Sequence, residues 1–102
     1  MAHPQHVTLV ITHRLAPGNE QAYEAWLNRI MPDAAGFTGH LGVNVIRPSG
    51  DEQAYTVLVR FDNLDNLYRW IHSPLRKQYI EEVTPLLLES DHIEIRPGAE
   101  FW

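Results

Sequence analysis

Six histidines, three tryptophans, four tyrosines and no cysteine set the chemistry open to this 102-residue chain. With no thiol there is no cysteine nucleophile, no thiolate metal ligand and no disulfide framework. His3, His6, His13, His40, His72 and His92 show no H-E-x-x-H or comparable ligand spacing, so no metal is expected. The preferred base is His13, which shares a strand face with Val7, Leu9 and Ile11 that is patterned to meet helices. The competing account of His13 is a histidine at an exposed strand end. Trp70 stands at the edge of a helical apolar stripe, placed either to stack on a flat aromatic and donate its indole N–H, or simply to fill the core. Arg76 offers a guanidinium to an anionic ligand, or else pairs on the surface with Glu20, Glu24 or Glu100. Tyr23, Tyr55 and Tyr68 join Trp26 and Trp70 in an aromatic-rich interior, as candidate walls of a small-molecule pocket. Gly36, Gly39 and Gly42 do not open a helix after a strand, so no phosphate loop is present.

The elements that must position these residues follow from periodicity. Val7 to Arg14 alternates as a β-branched strand, and Ala16-Pro17-Gly18 turns the chain. From Asn19 the period becomes helical, with Ala22, Tyr23, Trp26, Leu27 and Ile30 on one face and Pro32 and Gly36 near the end. Gly39 to Arg47 reads as a second strand, with Leu41, Val43 and Val45 on one side and Asn44 and Ile46 on the other. A polar turn over Pro48 to Glu52 makes it a hairpin with the strand Tyr55 to Phe61. Asn63 then caps a helix with Leu64, Leu67, Tyr68 and Ile71 as its apolar stripe. Pro74 is tolerated at a first helical position and not inside a helix, so Ser73-Pro74 divides this segment into two helices, ending near Pro85. Leu86, Leu87 and Leu88 must pack before a fourth strand, Asp91 to Arg96, which Pro97-Gly98 ends.

Two strand–helix–strand halves of this size predict an α+β, ferredoxin-like four-stranded antiparallel sheet with its helices on one face. The other face would carry Thr8, Val10, Thr12, Ile46, Thr56 and Leu58, too apolar to remain in water, and a homodimer packed sheet on sheet would bury it. Asn44 and Arg60 share that face as a candidate interfacial polar pair.

At this length the chain is one domain, with a core over Val7 to Arg96 and a tail over Pro97 to Trp102. A 44% hydrophobic composition without low-complexity segments argues against disorder. A net charge of −5 without a basic run argues against nucleic acid and anionic membrane surfaces as partners. No basic leader with a cleavage site and no stretch of about 18 apolar residues is present, which makes the cytoplasm the default compartment.

Several features together resemble the antibiotic biosynthesis monooxygenase family of dimeric α+β-barrel proteins: Pro17-Gly18, Tyr23, Trp26, Phe37-Thr38-Gly39, Phe61 and the Ser73-Pro74 break. The likeness covers about Val7 to Arg96. It implies cofactor-free oxidation of quinols or related aromatic polyketides, with relatives that degrade haem or isomerise small carbonyl compounds. Many members share a second-helix pattern H-x-x-S-x-H where this chain has Trp70, Ser73 and Leu75, and a Glu where it has Val59. Trp70, Ser73 and Arg76, with Gly98, Glu100, Phe101 and Trp102, resemble instead a branch in which the domain precedes membrane helices. That likeness implies either a soluble domain of a longer chain, at the cytoplasmic face of a membrane, or a tail that docks on the partner subunit.

Oxidation without metal or flavin needs a dry pocket, a base and anion-stabilising donors around a substrate that can itself pass electrons to oxygen. Two readings therefore compete. One is a cofactor-independent monooxygenase acting on a small phenol or quinol; the other is a non-catalytic binding or dimerisation domain. An open pocket reached by His13 or Trp70 favours the first and a sealed apolar interior the second.

Overall fold

A computed structural model describes residues 6–51 and 54–98. Glu100, Phe101 and Trp102, on which the tail-docking expectation rests, lie outside the described residues. The elements are β1 (Val7–Arg14), α1 (Glu20–Ala35), β2 (His40–Ile46), β3 (Ala54–Phe61), α2 (Leu64–Ile71), α3 (Pro74–Val83), a 3-10 turn (Thr84–Leu86) and β4 (His92–Pro97). The four strands form one antiparallel sheet in the order β2-β3-β1-β4, the ferredoxin-like arrangement expected from the sequence. Among the described residues no helix is long and apolar enough to cross a membrane.

The strands alternate as their sequences require. Leu9 lies between Val59 and Ile95, and Ile11 between Val57 and Ile93, so one face of the sheet presents a continuous apolar surface to the helices. Tyr23, Trp26, Leu27 and Ile30 from α1 and Leu67 and Trp70 from α2 close over it. Each such side chain contributes about 1.5–3 kcal/mol on burial, so this layer dominates the fold's stability. Asn63 caps α2 by accepting from the Asn66 N–H, and Ser73 caps α3 by accepting from the Arg76 N–H.

Several local expectations are corrected. The buried face of α2 is Asn66, Leu67 and Trp70, whereas Leu64 and Tyr68 are exposed. The helix is rotated because the Trp70 indole, at the end of that face, has far more apolar area to bury than Leu64. Leu86 and Leu87 pack against the core, but Leu88 is exposed; its N–H pairs with the Arg14 carbonyl at the end of β1. On the outer face of the sheet Thr8 and Leu58 are already buried within a single chain, with Thr8 Oγ1 donating to the Gly98 carbonyl. The face left open is therefore smaller than the alternation predicts.

Candidate functional site

Between sheet and helices lies an apolar cavity of about 30 Å³, floored by Ile11, Val57 and Val59 and walled by Trp26 and Trp70. Among the described residues, only His13, His40 and Arg76 bring ionisable groups to its lining. Three of the six residues singled out in the sequence, His13, Trp70 and Arg76, thus meet there, while Tyr23, Tyr55 and Tyr68 do not line it.

Trp70 and Arg76 are aimed by the helix break. The Ser73 hydroxyl donates to the Trp70 carbonyl (2.8 Å) and accepts from the Arg76 N–H (3.1 Å), clamping the last turn of α2 to the first turn of α3. This is the physical content of the W-x-x-S-x-x-R spacing: one hydroxyl holds an indole and a guanidinium on the same cavity. The Phe37 ring meets the Trp70 indole edge-on at 4.9 Å and fixes its plane.

His13 is 1% exposed, which overturns the account of it as a solvent-facing strand end. Its Nε2 lies 2.5 Å from Asp91 Oδ1 and its Nδ1 lies 2.7 Å from the Tyr23 hydroxyl. Asp91 Oδ2 also accepts from Arg76 Nη2 at 3.2 Å, so Tyr23, His13, Asp91 and Arg76 form one buried chain of hydrogen bonds. Burial alone would raise the Asp91 carboxyl, but the hydrogen bond from His13 and the Arg76 charge overrule it and hold it below the ordinary carboxylate range. Burial, reinforced by Tyr55, Asp91 and Glu24, pushes the Tyr23 hydroxyl well above its ordinary range, so it keeps its proton. An ionised Asp91 accepts only, and Tyr23 has a proton to give; the arrangement that satisfies both has Nε2–H donating to Asp91 and Nδ1 accepting from Tyr23. Both ring nitrogens are then engaged. His13 has no free lone pair for a ligand's proton, and it serves as a brace for the carboxylate that holds Arg76.

Arg76, at 6% exposure, is not the surface partner of Glu20 or Glu24. Glu24 pairs with Arg47 and accepts from the Tyr55 hydroxyl (2.9 Å), while Glu20 accepts from the Gly18 N–H. Tyr55 packs on the Tyr23 ring at 4.5 Å and so supports the chain from behind. Tyr68, 41% exposed, stacks on His72 outside the cavity, a consequence of the rotated α2 face.

Two residues of this site escaped the sequence reading. Asp91 precedes β4, and it reaches His13 because the β1–β4 ladder pairs Thr12 with His92, so continuing the register by one residue sets Asp91 opposite His13. His40 comes inward because of a bulge: it pairs with Phe61 while Gly42 pairs with Arg60, leaving Leu41 as the extra residue. Leu41 is turned out, 41% exposed, and His40 takes the inward place that alternation from Val43 assigns to Leu41. Gly39 anchors the bulge. Its φ is +86°, and a Cβ there would lie 2.3 Å from Asp62 Oδ1 and 2.5 Å from Asn66 Nδ2, so only glycine lets β2 start this close to α2.

A second hollow, an open cleft of about 360 Å³, lies outside the helix break and includes His72, Ser73 and Lys77. Arg76 and Ile80 line both hollows and so form the wall between them.

The sequence model of the antibiotic biosynthesis monooxygenases matches residues 6–82, three quarters of the chain. The chain belongs to this family. No curated protein matches it in sequence. Solved structures share the monooxygenase-family fold at low identity. A conserved protein from Methanosarcina mazei Go1 is 15% identical with a TM-score of 0.84, over 93% of this chain and 94% of that one. Rv0793 from Mycobacterium tuberculosis is 17% identical with a TM-score of 0.80, over 92% and 95%. SnoaB, a cofactor-independent oxygenase from Streptomyces nogalater, is 14% identical with a TM-score of 0.79, over 89% and 90%. Trp70 and Val59, the positions at which the sequence departs from the pattern it resembles, both line the cavity.

Proposed function

We propose that this family member binds a small phenol or quinol in the cavity between sheet and helices and oxidises it with molecular oxygen, without a cofactor. The observation that carries the reading is the Ser73 clamp, which turns an indole face and a buried guanidinium onto one apolar cavity. An indole stacks on a flat aromatic, and a guanidinium stabilises a phenolate. The substrate supplies the electrons: for an anthrone-type phenol the reacting methylene takes one oxygen atom from O₂ and becomes a carbonyl, and its two hydrogens leave with the other oxygen atom as water. The likeness in fold to SnoaB, a cofactor-independent oxygenase, supports this reading.

Size sets a condition on this reading. A cavity of about 30 Å³ holds a water-sized group, whereas a benzene ring occupies an engineered cavity of about 150 Å³. Ligand entry therefore needs the cavity to widen, and the Arg76–Ile80 wall, with the open cleft on its far side, has room to move. Oxygen consumption with a panel of quinols and anthrone-type phenols tests the proposal. Uptake above the spontaneous rate is expected, with a drop of tenfold or more in Trp70→Phe, roughly what losing one positioning contact costs. His13→Ala is expected to fall as well, through loss of the brace on Asp91. Background uptake across the panel would remove the enzyme reading. The second reading, a non-catalytic binding or dimerisation domain, draws on the small cavity and on the commitment of both His13 nitrogens.

The same reading takes the protein as a cytoplasmic homodimer paired through the outer sheet face, where Ile46 and Asn44 are exposed and Val10, Thr12 and Thr56 are half-buried. Sedimentation at micromolar concentration is expected to give twice the 11.8 kDa chain mass, shifting towards monomer in Arg60→Glu. A wild-type monomer would refute the pairing.

A further inference from the structure

His40 carries a feature that the chain from Tyr23 to Arg76 leaves unused. Among the described residues its Nε2 is buried and makes no hydrogen bond, although the residue lines the cavity. Leaving a buried polar nitrogen unpaired is unfavourable, and native proteins seldom retain one without a compensating role. The position is also held deliberately. Gly39 at positive φ, the Asp62 N–H donated to the Gly39 carbonyl (2.9 Å), and the bulge at Leu41 together turn this one side chain inward where a leucine would otherwise face. The ring packs edge-on against Phe61 at 5.5 Å, which fixes its plane.

We infer that His40 Nε2 is the hydrogen-bond partner of the ligand's hydroxyl group and makes the cavity select phenols over aromatic hydrocarbons of the same shape. The inference rests on the proposal that the cavity is the ligand site. Of the other ionisable groups of the lining, His13 is engaged through both nitrogens and Arg76 Nη2 pairs with Asp91. Burial lowers the His40 pKa, so the imidazole is neutral at pH 7. A hydroxyl suits either neutral tautomer, since it donates to a lone pair and accepts from an N–H. The cavity of about 30 Å³ matches a single hydroxyl, and on this inference the ring of the ligand fills the space opened when the Arg76–Ile80 wall moves.

Binding of phenol and of toluene, which differ by a hydroxyl in place of a methyl, tests this by titration of the whole chain. The wild type is expected to prefer phenol by about tenfold or more, as a site built to pair a hydroxyl does. His40→Phe keeps the ring against Phe61 and removes the unpaired nitrogen, so its Tm is expected at or above that of the wild type. It should bind toluene at least as well and lose the preference for phenol, and His40→Gln should regain part of it. An unchanged preference in His40→Phe would overturn the role of His40 while leaving the cavity as the ligand site. Failure of the wild type to bind either compound would overturn both.

Discussion

Replacing Asp91 with alanine is expected to destabilise the protein by about 3–5 kcal/mol, the usual result of removing one partner from a buried ion pair. The carboxylate holds two donors at once, His13 Nε2–H through Oδ1 and the Arg76 guanidinium through Oδ2. Without it a nearly buried positive charge stays inside with no counter-charge, and the imidazole N–H of His13 loses its acceptor. A double variant, Asp91→Leu with Arg76→Met, is expected to recover most of the loss, because replacing both charges with apolar groups removes the desolvation penalty along with the attraction. Urea unfolding of the two variants measures this. A loss under about 1 kcal/mol in Asp91→Ala would show that Arg76 swings into the outer cleft and rehydrates. The same pair sets an acid limit. The Asp91 carboxyl titrates below its unfolded value because the hydrogen bond from His13 and the charge of Arg76 outweigh burial. Its contribution is therefore fully present above the unfolded carboxyl value of about 3.9 and is lost as pH falls through the lower folded value. Stability should drop below about pH 4 in the wild type, with this component absent in Asp91→Asn.

Trp70→Ala is expected to cost a further about 3–5 kcal/mol in its own right, since a buried indole is removed and the surrounding helices relax only in part. The variant also isolates the role of Trp70 as the cavity wall. The enlarged space should admit free indole, and saturation at about 100 times its dissociation constant should restore about 2.7 kcal/mol. Thermal unfolding with and without millimolar indole reads the effect directly. Loss of stability without recovery by indole would mean that α2 collapses onto the sheet and that no ring-sized space forms there.

The residues that the sequence reading brought together are those whose positions depend only on local periodicity. His13 shares its face with Leu9 and Ile11 by strand alternation, and the Ser73-Pro74 break follows from the fixed φ and missing N–H of proline, so Trp70 and Arg76 were placed within one turn of it. Alternation and helical spacing likewise determined the order of elements and hence the ferredoxin-like sheet. Where the reading failed, the deciding forces act across the chain. Tyr68 was assigned inward by spacing alone, but α2 rotates to bury Trp70 and leaves Tyr68 on His72. Asp91 gains its meaning from β4 register, which is set by pairing with a strand about 80 residues earlier. A period of two carries Leu41 inward, and one extra residue in β2, accommodated by Gly39 against Asp62 and Asn66, turns Leu41 out and His40 in. The sequence by itself determined the elements and the apolar faces of β1, β3 and α1, because those depend on neighbours two to four residues away; tertiary structure alone decided the α2 face and which polar groups share the cavity, because register, bulge and helix rotation are settled only when the sheet and helices pack.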